Sequence, residues 1–217
     1  VAITDGEQQI MLFSNEGKAI RFAETDVRSM GRTAKGVRGM RVSIASNTLS
    51  EEDAEIENDE SDDNEDSAEL SVVSRIVSLV VVPETGEVLC ASANGYGKRT
   101  PVNDFPTKKR GGKGVIAIKT SERNGELVGA VSIDESKELL LISDGGTLVR
   151  TRAAEVAMTG RNAQGVRLIR LSEEETLVGV VSIEAVEDEE EFLEGEVDTS
   201  ELDTEDAVST NDDASEE

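Results

Sequence analysis

The sequence predicts an all-β, propeller-like fold built from repeated four-stranded antiparallel blades, about three of them in this stretch. Three observations carry that reading. Glycines that close hairpin-type turns precede loop-ending glycines by a constant 19 residues, at Gly17 and Gly36, Gly95 and Gly114, and Gly146 and Gly165. Two apolar runs nearly copy each other: Leu127-Val128-Gly129-Ala130-Val131-Ser132-Ile133 and Leu177-Val178-Gly179-Val180-Val181-Ser182-Ile183. No segment sustains a 3.6-residue apolar period, so helix is a minor component. A fixed internal period of this kind is the signature of a repeat architecture whose units bury their apolar faces against one another.

Val1-Ala2-Ile3 reads as the end of a strand entered midway, and the expectation is a fragment of a longer protein. The first unit then runs Ile10–Phe13, a Ser14-Asn15-Glu16-Gly17 turn, Ala19–Phe22, a long loop, Val37–Val42, and finally Ile76–Val82. The second gives Val88–Ala91, the Ser92-Ala93-Asn94-Gly95 turn, Lys98–Thr100, a basic loop, Val115–Thr120 and Leu127–Ile133. The third gives Leu139–Ser143, Asp144-Gly145-Gly146, Leu148–Arg152, a loop through Arg161, Val166–Leu171 and Leu177–Ile183. β-branched runs bounded by Gly, Asn and Asp turns justify each strand. The blades are expected at about 8–82, 86–133 and 137–183, within a domain covering 1–183.

The net charge of −25 conceals a basic body. Residues 45–71 hold 12 Asp/Glu and residues 184–217 hold 17, and neither stretch contains Lys or Arg. The remainder has 18 acids against 22 bases. Both acidic stretches have too little apolar surface to offset ordering entropy and are expected to be disordered, the first as an insertion and the second as a tail. The chain has no histidine, which excludes His-based acid–base catalysis and His-ligated metal. A single cysteine, Cys90, sits in an apolar strand pattern and reads as a buried thiol, in keeping with a reducing cytoplasm. No apolar run is long enough to span a bilayer, so no membrane partner is expected.

Stacking the units on their glycines produces columns of like residues. Arg21, Arg99 and Arg150 form one; Arg32, Arg110 and Arg161 a second; Arg41, Lys119 and Arg170 a third. Asp26, Asp104 and Glu155 form an acidic column beside the apolar Val27, Phe105 and Val156. Windows 17–42, 95–120 and 146–171 together carry 19 bases and only 4 acids. One basic column is expected to form blade-to-blade salt bridges with the acidic column. The surplus must face solvent or a polyanion, and nucleic acid held by its phosphates around a curved basic rim is the reading that fits.

The densest loop, Thr107-Lys108-Lys109-Arg110-Gly111-Gly112-Lys113-Gly114, is not a Walker-type phosphate loop. The glycine spacing is wrong, no Ser or Thr follows the lysine, and a strand follows instead of a helix. Tyr96, the only tyrosine, sits at a hairpin tip with no carboxylate cluster nearby, so packing or backbone contact is expected of it, not nucleophilic chemistry. The acidic runs lack EF-hand spacing, so neither a metal site nor a catalytic constellation is expected.

Arg110-Gly111-Gly112-Lys113-Gly114, preceded by two lysines, resembles the gyrase-A box Q-R-R-G-G-K-G at five of seven positions. Met30-Gly31-Arg32-Thr33-Ala34, Asn94-Gly95-Tyr96-Gly97-Lys98-Arg99-Thr100, Glu122-Arg123-Asn124-Gly125 and Gly146-Thr147-Leu148-Val149-Arg150-Thr151-Arg152 are similar to the C-terminal domain of the DNA gyrase A protein. The resemblance covers nearly all of 1–183 outside the acidic insertion. It implies a six-bladed β-pinwheel that wraps double-stranded DNA, of which this chain holds about the last three blades and a tail. It further implies a bacterial, cytoplasmic, chromosome-associated type IIA topoisomerase. The partners it implies are the gyrase B subunit, together with the rest of gyrase A. ATP and Mg2+ would be used elsewhere in the holoenzyme, and no cofactor or catalytic residue is expected here. Two departures stand out: the family's box belongs to the first blade, so this copy is expected to lie in a later one, and the family's catalytic tyrosine and cleavage core are expected to precede this region. The 45–71 insertion is an addition the family pattern does not explain. A topoisomerase IV C-terminal domain and a protein-interaction propeller are the alternatives.

The residues expected to meet phosphate are Arg32, Lys35, Lys108, Lys109, Arg110, Lys113 and Arg161 in the loops. Gly111, Gly112 and Gly114 would join them through backbone approach, and Arg38, Lys98, Arg99, Arg150, Arg152 and Arg167 from the flanking strands, where alternation turns some inward. If the acidic tail competes with DNA for the rim, removing 184–217 tightens duplex binding at low salt. Unchanged affinity in a salt-controlled titration contradicts that competition.

Overall fold

The computed structural model describes residues 1–43, 74–83 and 85–185. The acidic insertion at 45–71 and all but the first two residues of the acidic tail lie outside the described residues. Eleven strands form three antiparallel sheets: β1 (Gln9–Ser14), β2 (Lys18–Ala23), β3 (Ile76–Val82), β4 (Glu87–Ser92), β5 (Tyr96–Pro101), β6 (Val115–Ile116), β7 (Leu127–Ile133), β8 (Lys137–Ser143), β9 (Leu148–Arg152), β10 (Val166–Arg167) and β11 (Leu177–Glu184). Short 3-10 turns at Glu24–Asp26, Val102–Asp104 and Ala153–Glu155 follow the second strand of each unit and are the only helical elements among the described residues. Val1–Ile3, expected as a strand end, is exposed and forms no strand.

The sheets are ordered β3-β1-β2-β6, β7-β4-β5-β10 and β11-β8-β9. The fourth strand of each unit therefore runs beside the first and lies at one margin of its sheet. β3 packs against β7, and β7 against β11, so these strands form the hub. This order corrects the expectation that each blade is built from one contiguous unit. The third strand leaves its own unit and completes the sheet before it: Val115 and Ile116 pair with Ala19 and Lys18, and Val166 and Arg167 pair with Gly97 and Tyr96. Val37–Val42 is correspondingly not a strand, because among the described residues no sheet precedes β1 to receive it. The exchanged strands are also short, two residues each where about six were expected. Beyond Ile116 and Arg167 the chain turns from the sheet edge to the neighbouring hairpin tip: Ala117 and Ile118 donate to the carbonyl of Gly17, and Leu168 and Ile169 donate to that of Gly95.

Apolar alternation explains the layering. Val88 and Cys90 of β4 join Met11, Phe13, Val80 and Val82 in the core between the first two sheets, where Phe13 and Phe105 meet edge to face at 6.4 Å. Leu89 and Ala91, pointing the other way, join Leu139, Leu141, Val156 and Ile169 between the second and third sheets. The middle blade is thus buried on both faces. The edge strand β9 is covered on one face only, and Leu148 is 59% exposed.

Arginine clamps fasten unit to unit. Arg21 donates to the carbonyls of Val102 and Phe105 at 2.9 and 3.2 Å, on the 3-10 turn of the second unit. Arg99 repeats the contact one unit on, reaching Val156 O at 2.7 Å and Ala154 O at 3.4 Å while pairing with Glu87 at 2.9 Å. Arg150 has no following turn to reach among the described residues; it pairs with Glu138, and its side chain is 42% exposed. One basic column is therefore an inter-blade device, as expected, but its partners are backbone carbonyls. No carboxylate of Asp26, Asp104 or Glu155 forms an ion pair among the described residues.

Gly114 shows why glycine ends a loop that delivers an exchanged strand. Its φ is +80°, and a β-carbon there would meet Ala19 O at 2.5 Å; Gly165, at φ +86°, would meet Gly97 O at the same distance. The exchanged strand can dock only with no side chain at that point.

Two contrasts test this architecture by urea or thermal denaturation. Arg99→Met removes the donors to two carbonyls of the next unit as well as to Glu87 and is expected to cost roughly 3 kcal/mol, whereas Arg150→Met, which removes only the pair of a 42%-exposed side chain with Glu138, is expected to cost about 1 kcal/mol. Equal costs would mean that the clamp contributes nothing. Gly114→Ala is expected to cost at least about 2 kcal/mol, while Gly112→Ala, whose added carbon sits 3.6 Å from Ile20, stays within about 0.5 kcal/mol.

Candidate nucleic-acid interface

The strand exchange brings the three basic loops into a row. Arg110 donates from Nε to Asp26 O at 3.0 Å and from Nη1 to Arg38 O at 2.8 Å, so the second loop lies against the first. Gly111 N–H donates to Gly39 O, and Arg41 N–H returns a bond to Gly112 O. The third loop repeats the arrangement, with Arg161 Nη1 donating to Ile116 O at 3.2 Å and Lys119 N–H to Ala163 O. Arg38 and Ile116 occupy the same place in successive units. The Arg110 and Arg161 column is thus a tie between loops as well as a source of charge, and both residues are only half-exposed. Arg32, the column's first member, is exposed, and its side chain makes no bond to a described residue.

The expected phosphate-facing residues divide cleanly. Lys35, Arg38, Lys108, Lys109, Lys113 and Arg152 are exposed, with no side-chain hydrogen bond or ion pair to a described residue. Arg167 is exposed and donates to the phenol oxygen of Tyr96 at 2.8 Å. Arg150 is exposed but carries its pair with Glu138. Gly112 is exposed, and Gly111 and Gly114 are half-buried; the Gly111 N–H is already used by Gly39. Lys98 and Arg99 must be removed from the phosphate-facing set. Lys98 has no exposed surface and Arg99 only 5%, because both lie on β5 beneath the exchanged strand and loop of the next unit. Burial pushes the Lys98 ammonium down to about 8. Its Nζ donates to Thr100 Oγ1 and to the carbonyls of Gly160 and Arg161.

Arg123 escaped the reading by columns because it lies outside the windows between paired glycines. It sits on the turn between β6 and β7, exposed, with its guanidinium 4.8 Å from the centre of the Tyr96 ring; that of Arg167 lies 5.3 Å away. Tyr96 therefore anchors two cations. Hydrogen bonds from Arg167 and then Arg123 hold its phenol below the ordinary value. The signal in the sequence was the Asn94 tip, whose side chain reaches the Glu122 and Arg123 carbonyls at 2.9 and 3.2 Å. Exposed Arg28, Lys119 and Arg170 extend the same charge.

This arrangement offers fixed positive charge and no reactive centre among the described residues. An open crevice of about 460 Å3 lies between Asp104 and the Gly160–Ala163 turn. Cys90 is fully buried and its thiol is pushed up to about 12 by burial, which removes it as a nucleophile. Among the described residues no group of carboxylates and thiols is placed to hold a metal ion, and no helix is long and apolar enough to cross a membrane.

The sequence model of the DNA gyrase C-terminal domain, a β-propeller, matches residues 8–55, 86–134 and 137–184. The gyrase A protein of Haemophilus influenzae is 50% identical over 197 residues, which is 89% of this chain and 22% of that protein. That of Pseudomonas aeruginosa is 46% identical over 198 residues, 90% of this chain and 18% of the relative. The chain spans about a fifth of the length of these curated relatives. A solved DNA gyrase A C-terminal domain superposes with a TM-score of 0.65 at 26% identity, covering 82% of this chain and 52% of that one. A solved topoisomerase IV C-terminal domain shares the fold, with a TM-score of 0.66 at 21% identity over 85% of this chain and 49% of the other. The second and third matched segments coincide with the second and third units, the first begins with β1 and β2 of the first unit, and the chain belongs to the DNA gyrase C-terminal domain family.

Proposed function

We propose that residues 1–183 bind duplex DNA along the row of abutting basic loops and bend it around the outer margin of the blades. The observation that carries this reading is the continuity of the loops. Arg110 to Arg38 O and Arg161 to Ile116 O join three runs of otherwise unpaired cations into one track. Contacts of this kind neutralise phosphates and release counterions without reading bases, so they suit wrapping more than sequence recognition. Arg32, Lys35, Arg38, Lys108, Lys109, Lys113, Arg152 and Arg167 are the residues assigned to phosphate, with Arg110 and Arg161 both tying loops and adding charge, Arg150 at the open end, and Gly111, Gly112 and Gly114 letting the backbone approach.

In the whole protein, this module would steer the duplex for ATP-driven strand passage and negative supercoiling. Cleavage, ATP and Mg2+ belong to other parts of an assembly of gyrase A and gyrase B in the bacterial cytoplasm. The fold is equally close to a topoisomerase IV domain, whereas the curated relatives at 46–50% identity are gyrase A proteins, and that difference favours the gyrase reading.

The test is a salt titration of duplex affinity on the full-length protein. A steep negative slope of log affinity against log salt is expected, and each of Lys108→Ala, Lys109→Ala and Lys113→Ala is expected to reduce its magnitude by about 1. A shallow slope, or one unchanged by the three substitutions, would overturn the reading in favour of a protein-interaction platform. Constrained positive writhe on relaxed plasmid then separates gyrase-type wrapping from the topoisomerase IV type.

A further inference from the structure

Lys98 is a cation that DNA cannot reach. It lies on β5 with no exposed surface, and three acceptors satisfy its ammonium: Thr100 Oγ1 at 3.1 Å, Gly160 O at 2.7 Å and Arg161 O at 2.9 Å. The Thr100 hydroxyl donates onward to Thr159 O at 3.0 Å, so the lysine and threonine together hold three successive carbonyls of the third basic loop. Among the described residues no carboxylate forms an ion pair with Lys98. The titratable and charged groups that face it are the Cys90 thiol on β4, Arg161 on the loop and Asp104 on the 3-10 turn after β5. The same position is Ile20 in the first unit and Val149 in the third, so a blade folds with an apolar residue there. In the second unit that position instead supplies three donors to the loop that carries Arg161.

We propose that Lys98 is a positioning residue for the third basic loop, tying the Gly160 and Arg161 carbonyls to β5 through donors that an apolar residue at this position lacks. The ammonium has three N–H donors for three acceptors. The neutral amine has two, and it turns a lone pair towards an oxygen, so one loop carbonyl loses its partner. Burial, the largest effect, and the nearby Arg161 charge lower the ammonium from the ordinary 10.5 to about 8, partly offset by Cys90 and Asp104. The lowering means that relief of the buried charge outweighs the one lost bond, so the closed loop is favoured more as pH rises through about 8. Its consequence for DNA rests on the DNA-binding reading, whereas its effect on the loop does not.

The experiment uses the full-length protein with Lys98→Met, Lys98→Gln, Arg161→Ala and the Lys98→Met/Arg161→Ala pair. It reads tryptic cleavage after Arg161, normalised to cleavage after exposed Lys35, and affinity for a duplex of fixed length and salt. The Ile20 and Val149 counterparts make a folded Lys98→Met variant the expected state, which a melting curve verifies. Near pH 7, Lys98→Met is expected to speed cleavage after Arg161 and weaken duplex binding about three- to tenfold. Raising the pH from 7 to about 9 should slow wild-type cleavage after Arg161, because the closed loop holds the neutral amine better than the charged one, and leave Lys98→Met unmoved. Lys98→Gln, with two donors and no charge, should be intermediate and insensitive to pH. In duplex affinity, the only readout left once Arg161 is replaced, Lys98→Met should add little to Arg161→Ala, since both act through one turn. Cleavage in Lys98→Met at the wild-type rate, or identical pH profiles for the two proteins, overturns the proposal. A loosened loop with unchanged duplex affinity overturns its functional half. A wild-type protein that shows no salt-dependent duplex binding overturns the DNA reading and leaves the cleavage result to judge the clamp.

Discussion

The architecture depends on one constraint: no unit satisfies its own backbone. The outer margins of β2 and β5 are completed by two-residue strands from the next unit, and the hairpin-tip carbonyls of Gly17 and Gly95 each accept two N–H groups from that same segment. The 3-10 turn of each following unit in turn offers carbonyls to an arginine of the preceding unit. Buried backbone groups need partners, and for these sheet margins and hairpin tips the partners lie one repeat away. Stability and the alignment of successive blades therefore have a common origin.

The same constraint builds the candidate interface. A loop that must deliver a strand to the previous sheet is carried across the outer margin of that sheet and laid against the previous loop. Arg110 and Arg161 fasten it there by donating to carbonyls, which leaves the neighbouring lysines without internal partners among the described residues. Cations held by short, glycine-ended loops keep their positions without carboxylates that would cancel their charge. Rigid spacing of unpaired charge is what a stiff polyanion can exploit.

The third sheet shows the rule by its exception. β9 has no exchanged strand among the described residues, Leu148 is exposed where Ala19 and Gly97 are covered, and Arg150 turns to Glu138 in place of a carbonyl. One sequence column thus holds two clamps and one surface pair. The difference follows from whether a next 3-10 turn lies within reach among the described residues.

The sequence alone determined the number of units, the strands that alternate between two buried faces, the glycine-ended loops and the family. These follow from local chemistry: apolar periodicity, turn residues and an excess of bases over acids are visible without a partner. Only the tertiary structure decided which unit each third strand joins, and so which cations are buried. Lys98 and Arg99 look like Lys108 and Arg110 along the chain, but they lie beneath the loop of the next repeat, where one grips carbonyls of that loop and the other those of its 3-10 turn. Strand exchange couples residues more than fifty positions apart through backbone hydrogen bonds, and such bonds leave no mark on composition or spacing.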